Sequence, residues 1–147
     1  MIRKFLIITV TLLLNVCMAM ASDFDFIFSD STLRIDYIFS GNADVQMISV
    51  KELKKSPHWA GRRTNLQSVP LDGNGDITIY DATTNDILYK NSFSSLFQEW
   101  LSTPEATETN RSFEFTLLVP KPHRKAVAEV VLRNNRNEAT VTLRHTI

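Results

Sequence analysis

Short runs of alternating apolar and polar residues constrain this chain more than any other feature of its sequence. Residues 33–39 and 113–119 each place four apolar side chains at every second position. Since successive side chains of a β-strand point to opposite faces of a sheet, each run predicts a strand with one buried face. Further strands are predicted at 45–50, 76–81, 87–91, 127–133 and 138–145, and an entry strand or ordered arm at 23–28.

Turn-forming residues separate these runs and favour antiparallel connections. Gly41-Asn42 follows the first long strand, Asn85-Asp86 suits a hairpin turn, and residues 134–137 suit a second hairpin. Residues 51–75 are the least regular part and predict a long ordered loop or a strand with excursions. Seven or eight short strands predict a mainly β fold, an antiparallel immunoglobulin-like β-sandwich, with a small barrel as the alternative.

One segment has the period of a helix instead of a strand. Its apolar residues recur at the spacing of one helical face, and they are Phe93, Leu96, Phe97, Trp100 and Leu101. Nearby serines can cap the start of this helix, and Pro104 ends it. The stripe predicts one short helix that closes an end of the sandwich, and the alternative is a surface for a partner or a neighbouring domain.

The first 21 residues predict a secretory signal peptide. Arg3 and Lys4 precede an apolar run of about a dozen residues, and Ala19-Met20-Ala21 supplies small residues for cleavage after Ala21. The alternatives are a retained membrane anchor, for which the run is short, and lipidation of Cys17. The expected mature chain is therefore a single domain over residues 22–147, without a membrane span, in the periplasm, on the outer surface or in the medium.

Charge and cysteine content exclude several classes of function for the mature chain. Cleavage after Ala21 leaves 14 of the 16 basic residues against all 16 acidic ones, so no nucleic-acid partner is expected. Cys17 is the one cysteine of the sequence and lies in the leader. Without it the mature domain has neither a disulfide nor a thiol nucleophile, and packing must supply its stability.

No metal or cofactor is expected, because the ligand patterns are missing or incomplete. A zinc peptidase needs two histidines four residues apart on a helix with a neighbouring glutamate, and His58, His123 and His145 are far apart in sequence. The run Asp72-Gly73-Asn74-Gly75-Asp76 begins like a calcium loop, but Ile77 and Thr83 replace its glycine and its bidentate glutamate. A glycine-rich turn is the favoured interpretation, and weak calcium binding stays open.

The segment Trp59-Ala60-Gly61-Arg62-Arg63 is the candidate binding surface, with Trp59, Arg62 and Arg63 as its key residues. An exposed tryptophan beside two arginines would suit a glycan or an acidic peptide, through stacking and bidentate hydrogen bonds. The alternative is structural, with Trp59 in the core and the arginines paired with acidic neighbours of the same domain.

The chain also resembles a known family, in segments spread from Phe28 to the C-terminus. They are Thr32–Tyr37, Trp59–Arg63, Pro70–Gly75, Asn91–Trp100 and Arg111–Glu114. These segments resemble the N-terminal, pre-catalytic domain of the secreted IgA-peptidase-like zinc metallopeptidases (peptidase family M64), known mainly from gut Gram-negative bacteria. The resemblance implies an accessory domain that helps to fold, orient or target a larger catalytic domain, or that binds a host protein or glycan.

The zinc motif of the resembled family is missing, so the chain is not expected to be an enzyme by itself. The resemblance places the catalytic domain after Ile147, and the chain is expected to be a truncated product, a fragment or a stand-alone relative. The second hypothesis is an independent surface adhesin or glycan-binding module that uses Trp59–Arg63. A small hydrolase is a third, although the sequence has no reactive constellation that recommends it.

Overall fold

The computed structural model describes residues 23–68 and 73–147. The predicted leader, with Cys17, and residues 69–72 lie outside these ranges. Seven strands occur within them: β1 (Phe28–Gly41), β2 (Gln46–Pro57), β3 (Gly75–Asp81), β4 (Ile87–Phe93), β5 (Arg111–Pro122), β6 (Ala126–Arg133) and β7 (Ala139–Thr146). Three short helical segments accompany them: helices α1 (Asp23–Ile27) and α2 (Leu96–Trp100), and a 3₁₀ helix (Pro104–Thr107).

The strands form two antiparallel sheets, which confirms the predicted mainly β sandwich. One sheet has the order β2-β1-β5 and the other the order β4-β3-β6-β7. Both predicted hairpins are present as β3-β4 and β6-β7. In the immunoglobulin order the second strand lies between the first and the fifth, whereas here β1 takes that central place.

The core lies between the sheets and is built from the alternating positions of their strands. On β1, the side chains of Ile35, Tyr37 and Phe39 are fully buried, as the period of two predicted. The opposite sheet contributes apolar residues of β3 and β6, among them Ile77, Ile79, Ala128, Val130 and Leu132.

Aromatic rings join the two sheets at the end where α2 lies. Phe39 of β1 stacks on Phe115 of β5 at 5.3 Å and on Phe93 of β4 at 6.1 Å between ring centroids. Phe97 and Trp100 of α2 are buried against Phe113, with centroids 5.7 Å away in each case. The apolar stripe of α2 therefore packs mainly into the core, and Leu96 is its exposed member.

Three segments depart from or extend the runs seen in the sequence, each for a physical reason. Residues 23–27 form a helical turn instead of a strand, since Phe24 and Phe28 are four residues apart and pack together at 5.3 Å. β2 continues to Pro57, through a lysine-rich stretch whose side chains are mostly exposed at the edge of its sheet. β5 continues through Pro120 to Pro122, because an edge strand tolerates the missing N–H groups.

The two ends of the sandwich carry different loops. At one end, termed the Ile147 end, lie α1, the turns at 82–86 and 123–125, and Ile147, which pairs with Ala126. At the other, termed the Arg136 end, lie the turns at 42–45 and 134–138 and helix α2. Within the described ranges, no helix is long and apolar enough to cross a membrane.

Candidate functional site

Trp59 lies in the core, immediately after β2 ends. Its side chain is only 8% exposed, and its ring meets Tyr89 of β4 edge-on, with centroids 6.0 Å apart. The indole Nε1 donates a hydrogen bond to the Arg62 carbonyl at 3.0 Å. Gly61 covers the ring, because a Cβ at this position would overlap the six-membered part of the indole. The tryptophan and the glycine thus fit together as one packed unit.

Arg62 ties the loop after β2 to the edge strand β4. Its guanidinium donates to the carbonyls of Leu66 (3.1 Å), Ser68 and Lys90, and it lies 5.0 Å above the Tyr89 ring. Lys90 N in turn donates to the Leu66 carbonyl at 2.8 Å. These bonds cover part of the β4 edge, and the Arg62 Nε is buried without a described partner.

Arg63 ties the same loop to α1 and β1. Its guanidinium pairs with Asp30 and, at 3.5 Å, with Asp25, and it lies 4.7 Å above the ring of Phe24. The side chain is partly exposed, at 40%. The cation therefore caps a buried ring and neutralises acidic residues of the same domain.

Asp30 is the acceptor around which this segment is arranged, although no pattern in the sequence distinguishes it. Its carboxylate accepts from the backbone N–H of Trp59 at 3.2 Å and from the Arg63 guanidinium, and the His58 ring nitrogen lies 3.2 Å away. The hydrogen bond with His58, followed by those with Trp59 and Arg63, lowers the pKa of Asp30 to about 2. We name the set Asp30, Trp59, Gly61, Arg62 and Arg63 the clamp.

The clamp leaves a shallow hollow beside Trp59. It has a volume of about 450 Å³ and is lined mainly by apolar surface, and Gly61, Tyr89 and Leu118 are among its lining residues. The Trp59 ring has little exposed area for stacking, and both arginines already have partners in the domain. The binding surface at Trp59, Arg62 and Arg63 stays a prediction, while its structural alternative describes most of the contacts that these residues make.

The three histidines do not come together as metal ligands. His58 contacts Asp30, His123 contacts the Asp25 carbonyl at 3.2 Å, and His145 Nε2 lies 2.7 Å from the Tyr37 hydroxyl. Burial lowers the pKa of His145 and raises that of Tyr37. Across residues 23–68 and 73–147 no three His, Cys, Asp or Glu side chains form a group that could hold a metal ion, so these donors do not fit a catalytic zinc.

The possible calcium loop begins at residue 72, outside the described ranges, and its other polar members have partners. Asn74 accepts from the backbone N–H of Ser95 at 2.9 Å, and Asp76 accepts from Arg133 Nε at 2.9 Å. Both side chains thus serve the folding of the turn that leads into β3.

A second concave site, which the sequence does not reveal, lies at the Arg136 end. It has a volume of about 290 Å³ and spans the seam between the two sheets. Most of the residues that line it are polar, and they include Gln46, Gln98, Arg133, Asn135, Arg136 and Thr140. We name it the Arg136 cavity. Its residues come from positions 43 to 140 of the chain, so no local motif could have indicated it.

Comparison with known proteins identifies a family for this chain. The family model described as Peptidase M64 N-terminus matches residues 23–144, which includes every strand described above except the last two residues of β7. No curated protein matches the chain.

Proposed function

The chain belongs to the family described as the Peptidase M64 N-terminus, and on that premise we propose that it is an accessory domain. It would serve a secreted, IgA-peptidase-like zinc metallopeptidase without performing catalysis itself. The match over residues 23–144 is the single observation that carries this proposal. It agrees with the resemblance seen in the sequence, including the Trp59–Arg63 segment.

The contacts of the polar residues support a structural role over a catalytic one. A nucleophile or a general base needs a side chain that is free to meet a substrate. In the clamp, the side chains contact one another: Asp30, whose pKa is lowered, pairs with Arg63, and the buried Trp59 donates to the Arg62 carbonyl. The Trp59–Arg63 segment, which is one of those that resemble the peptidase family, therefore stabilises the sandwich. The hydrolytic groups would belong to the catalytic domain.

A peptidase assay tests the non-catalytic part of the proposal. The purified protein is incubated with casein and with IgA, in the presence of zinc and in the presence of a chelator. A complete peptidase of the same family, assayed in parallel, is the positive control. We expect no cleavage above the buffer blank, and cleavage that the chelator abolishes would overturn the proposal.

A complementation experiment tests the accessory role itself. An M64 catalytic domain is produced alone, together with this protein, and together with its Trp59→Ala variant. We expect the intact protein to raise the yield or the activity of the catalytic domain and the variant to do so less. An effect that is zero for both proteins would leave the family assignment in place but contradict this role.

Export is a separate part of the proposal and rests on the predicted leader. Sequencing the N-terminus of the protein recovered from the periplasm or the medium of a Gram-negative host tests it. We expect Ser22 as the first residue. Recovery of the protein with a lipid on Cys17 would support lipidation instead of cleavage after Ala21. Recovery from the membrane fraction with the leader retained would support a membrane anchor.

The alternative function, a surface adhesin or glycan-binding module, is favoured by one observation. The Arg136 cavity is concave, most of its lining residues are polar, and it lies at the end of the sandwich opposite Ile147. In β-sandwich domains of the immunoglobulin type, loops gathered at one end form the binding sites. Such a module is compatible with the accessory role, because a targeting domain would also bind a ligand.

A further inference from the structure

The Arg136 cavity is held open by hydrogen bonds between distant parts of the chain. Gln98 of α2 donates to the carbonyls of Asn74 and Arg133, the latter at 2.6 Å, and accepts from Ser95 Oγ at 2.9 Å. The helix is thereby fixed to the ends of β3 and β6. Across the seam, Thr140 Oγ1 of β7 donates to Gln46 Oε1 of β2 at 2.6 Å. The walls therefore come from both sheets and from α2, and are set by the fold.

Several donors in this cavity have no partner within the described part of the chain. Gln46 uses its carbonyl oxygen on Thr140, which leaves its amide N–H groups unused. The side chains of Asn135 and Arg136 are exposed and make no described hydrogen bond or ion pair. The clamp residues contrast with them, since nearly all of their polar groups are occupied. The cavity thus offers a guanidinium and two amides to a ligand.

The charge of the cavity is positive and small. Two arginines line it, and Arg133 is already paired with Asp76, at 2.9 Å. No Asp or Glu side chain lines the cavity among the described residues. One unpaired cation, Arg136, remains, and its planar guanidinium matches the geometry of a carboxylate. A single unpaired cation suits a monoanion better than a phosphate dianion.

The size and the remaining lining define the ligand further. A volume of about 290 Å³ is at the lower limit for small-molecule sites and suits one ring-sized group. Amides and hydroxyls, which both donate and accept, match the hydroxyl groups of a sugar. Leu101 and Ala43 add an apolar surface against which the ring carbons can lie.

We propose that the Arg136 cavity binds a carboxylate-bearing monosaccharide unit, with Arg136 on the carboxylate and the Gln46 and Asn135 amides on ring substituents. This site is independent of peptidase activity and of the clamp. It would direct the domain to acidic glycans whether the domain acts alone or ahead of a catalytic domain.

A titration followed by nuclear magnetic resonance tests the proposal on the purified protein. Sodium glucuronate is added to ¹⁵N-labelled protein at constant ionic strength, with two matched probes: glucose, and the N-methylamide of N-acetylglutamate, which has a single carboxylate. We expect saturable shifts of the signals of residues 134–136 and of the Gln46 side-chain amide with glucuronate. Glucose, which lacks the carboxylate, should bind about tenfold more weakly or not at all.

Two arginine variants locate the site. Arg136→Ala should weaken glucuronate binding about tenfold or more, since a charge-assisted hydrogen bond is lost. Arg124→Ala removes an exposed arginine at the Ile147 end and should leave the affinity unchanged. The spectra of both variants away from residues 134–136 and 124 should superimpose on the original one, which shows that the fold is intact.

Four results would overturn the proposal. The absence of saturable shifts with glucuronate would show that the cavity does not bind an acidic monosaccharide. If glucose binds as tightly as glucuronate, the carboxylate is not recognised. If Arg136→Ala binds glucuronate with unchanged affinity, Arg136 does not contact the carboxylate. Tighter binding of the N-methylamide of N-acetylglutamate than of glucuronate would assign the cavity to acidic peptides instead of acidic sugars. None of these results bears on whether the protein assists a peptidase.

Discussion

The clamp and the Arg136 cavity contain similar residue types but use them in opposite ways. In the clamp, Arg62 and Arg63 bond to backbone carbonyls, to acidic side chains and to the faces of Tyr89 and Phe24. In the cavity, Arg136 has no described partner and lines a concave surface together with other polar residues. The clamp is prominent in the sequence and the cavity is not.

This difference shows what makes an arginine available to a ligand. A guanidinium presents five donors, and its capacity to bind depends on how many of them the fold already uses. A run such as Trp-Ala-Gly-Arg-Arg attracts attention because its residue types are common in binding sites. The same types also serve to close a loop onto a sheet, and only the contacts distinguish the two uses.

Among variants of the clamp, Trp59→Ala should lower the stability of the fold most. The variant removes a buried ring and its hydrogen bond to Arg62, and should lower the free energy of unfolding by about 3–5 kcal/mol. Urea denaturation followed by circular dichroism measures the loss. Phe26→Ala is the control, since this ring is 82% exposed and its removal should change stability by less than about 0.5 kcal/mol. Equal, small effects of the two variants would place Trp59 at the surface.

A smaller loss is expected from Gly61→Ala. The added methyl group would overlap the Trp59 ring, and overpacking of this kind costs about 1–3 kcal/mol. The same change in a Trp59→Leu background should cost much less, because the ring it meets is gone. Urea denaturation of the original protein, the two single variants and the double variant completes a double-mutant cycle. Additive losses of stability would show that the cost of Gly61→Ala does not arise from contact with the Trp59 ring.

Asp30→Asn should change stability least, and its effect on the pH dependence of stability should be measurable only at acidic pH. The folded-state pKa of Asp30 is about 2, below the ordinary value for aspartate, so the folded protein binds this proton less readily than the unfolded chain. The stabilisation is complete above about pH 4 and is lost as the pH falls toward 2. Urea midpoints at pH 2–5 should therefore depend less steeply on pH in Asp30→Asn, and identical slopes would contradict the carboxylate's role.

The strands were predictable because they depend on local patterns. Alternation identifies β1 and β5, and Asn85, which has a φ of 61°, marks a hairpin turn correctly. The second half of β2 was ambiguous, since an exposed edge strand does not need an apolar face. The helical turn at 23–27 escapes prediction because Phe24, Phe26 and Phe28 fit the period of two of a strand, although only Phe24 and Phe28 are buried.

The sites were less predictable because they depend on pairings between distant residues. The role of Asp30 rests on contacts 28 to 33 positions along the chain, and the hydrogen bond from Thr140 to Gln46 spans 94. No spacing rule connects such positions before the order of the strands is known. The sequence therefore indicates which residue types are candidates for a binding site. The order of the strands determines which of these side chains have partners within the described part of the domain.

Trp59 packs into the core and attaches the Trp59–Arg63 segment to the sandwich, and fluorescence quenching measures this burial. The sequence has two tryptophans, so Trp100→Phe leaves Trp59 as the single reporter. Acrylamide is then titrated into the native and the urea-unfolded protein. A buried Trp59 predicts blue-shifted emission and quenching that is several-fold weaker in the native state. Native quenching as strong as that of the unfolded chain would place the indole in solvent and restore the segment as an exposed binding surface.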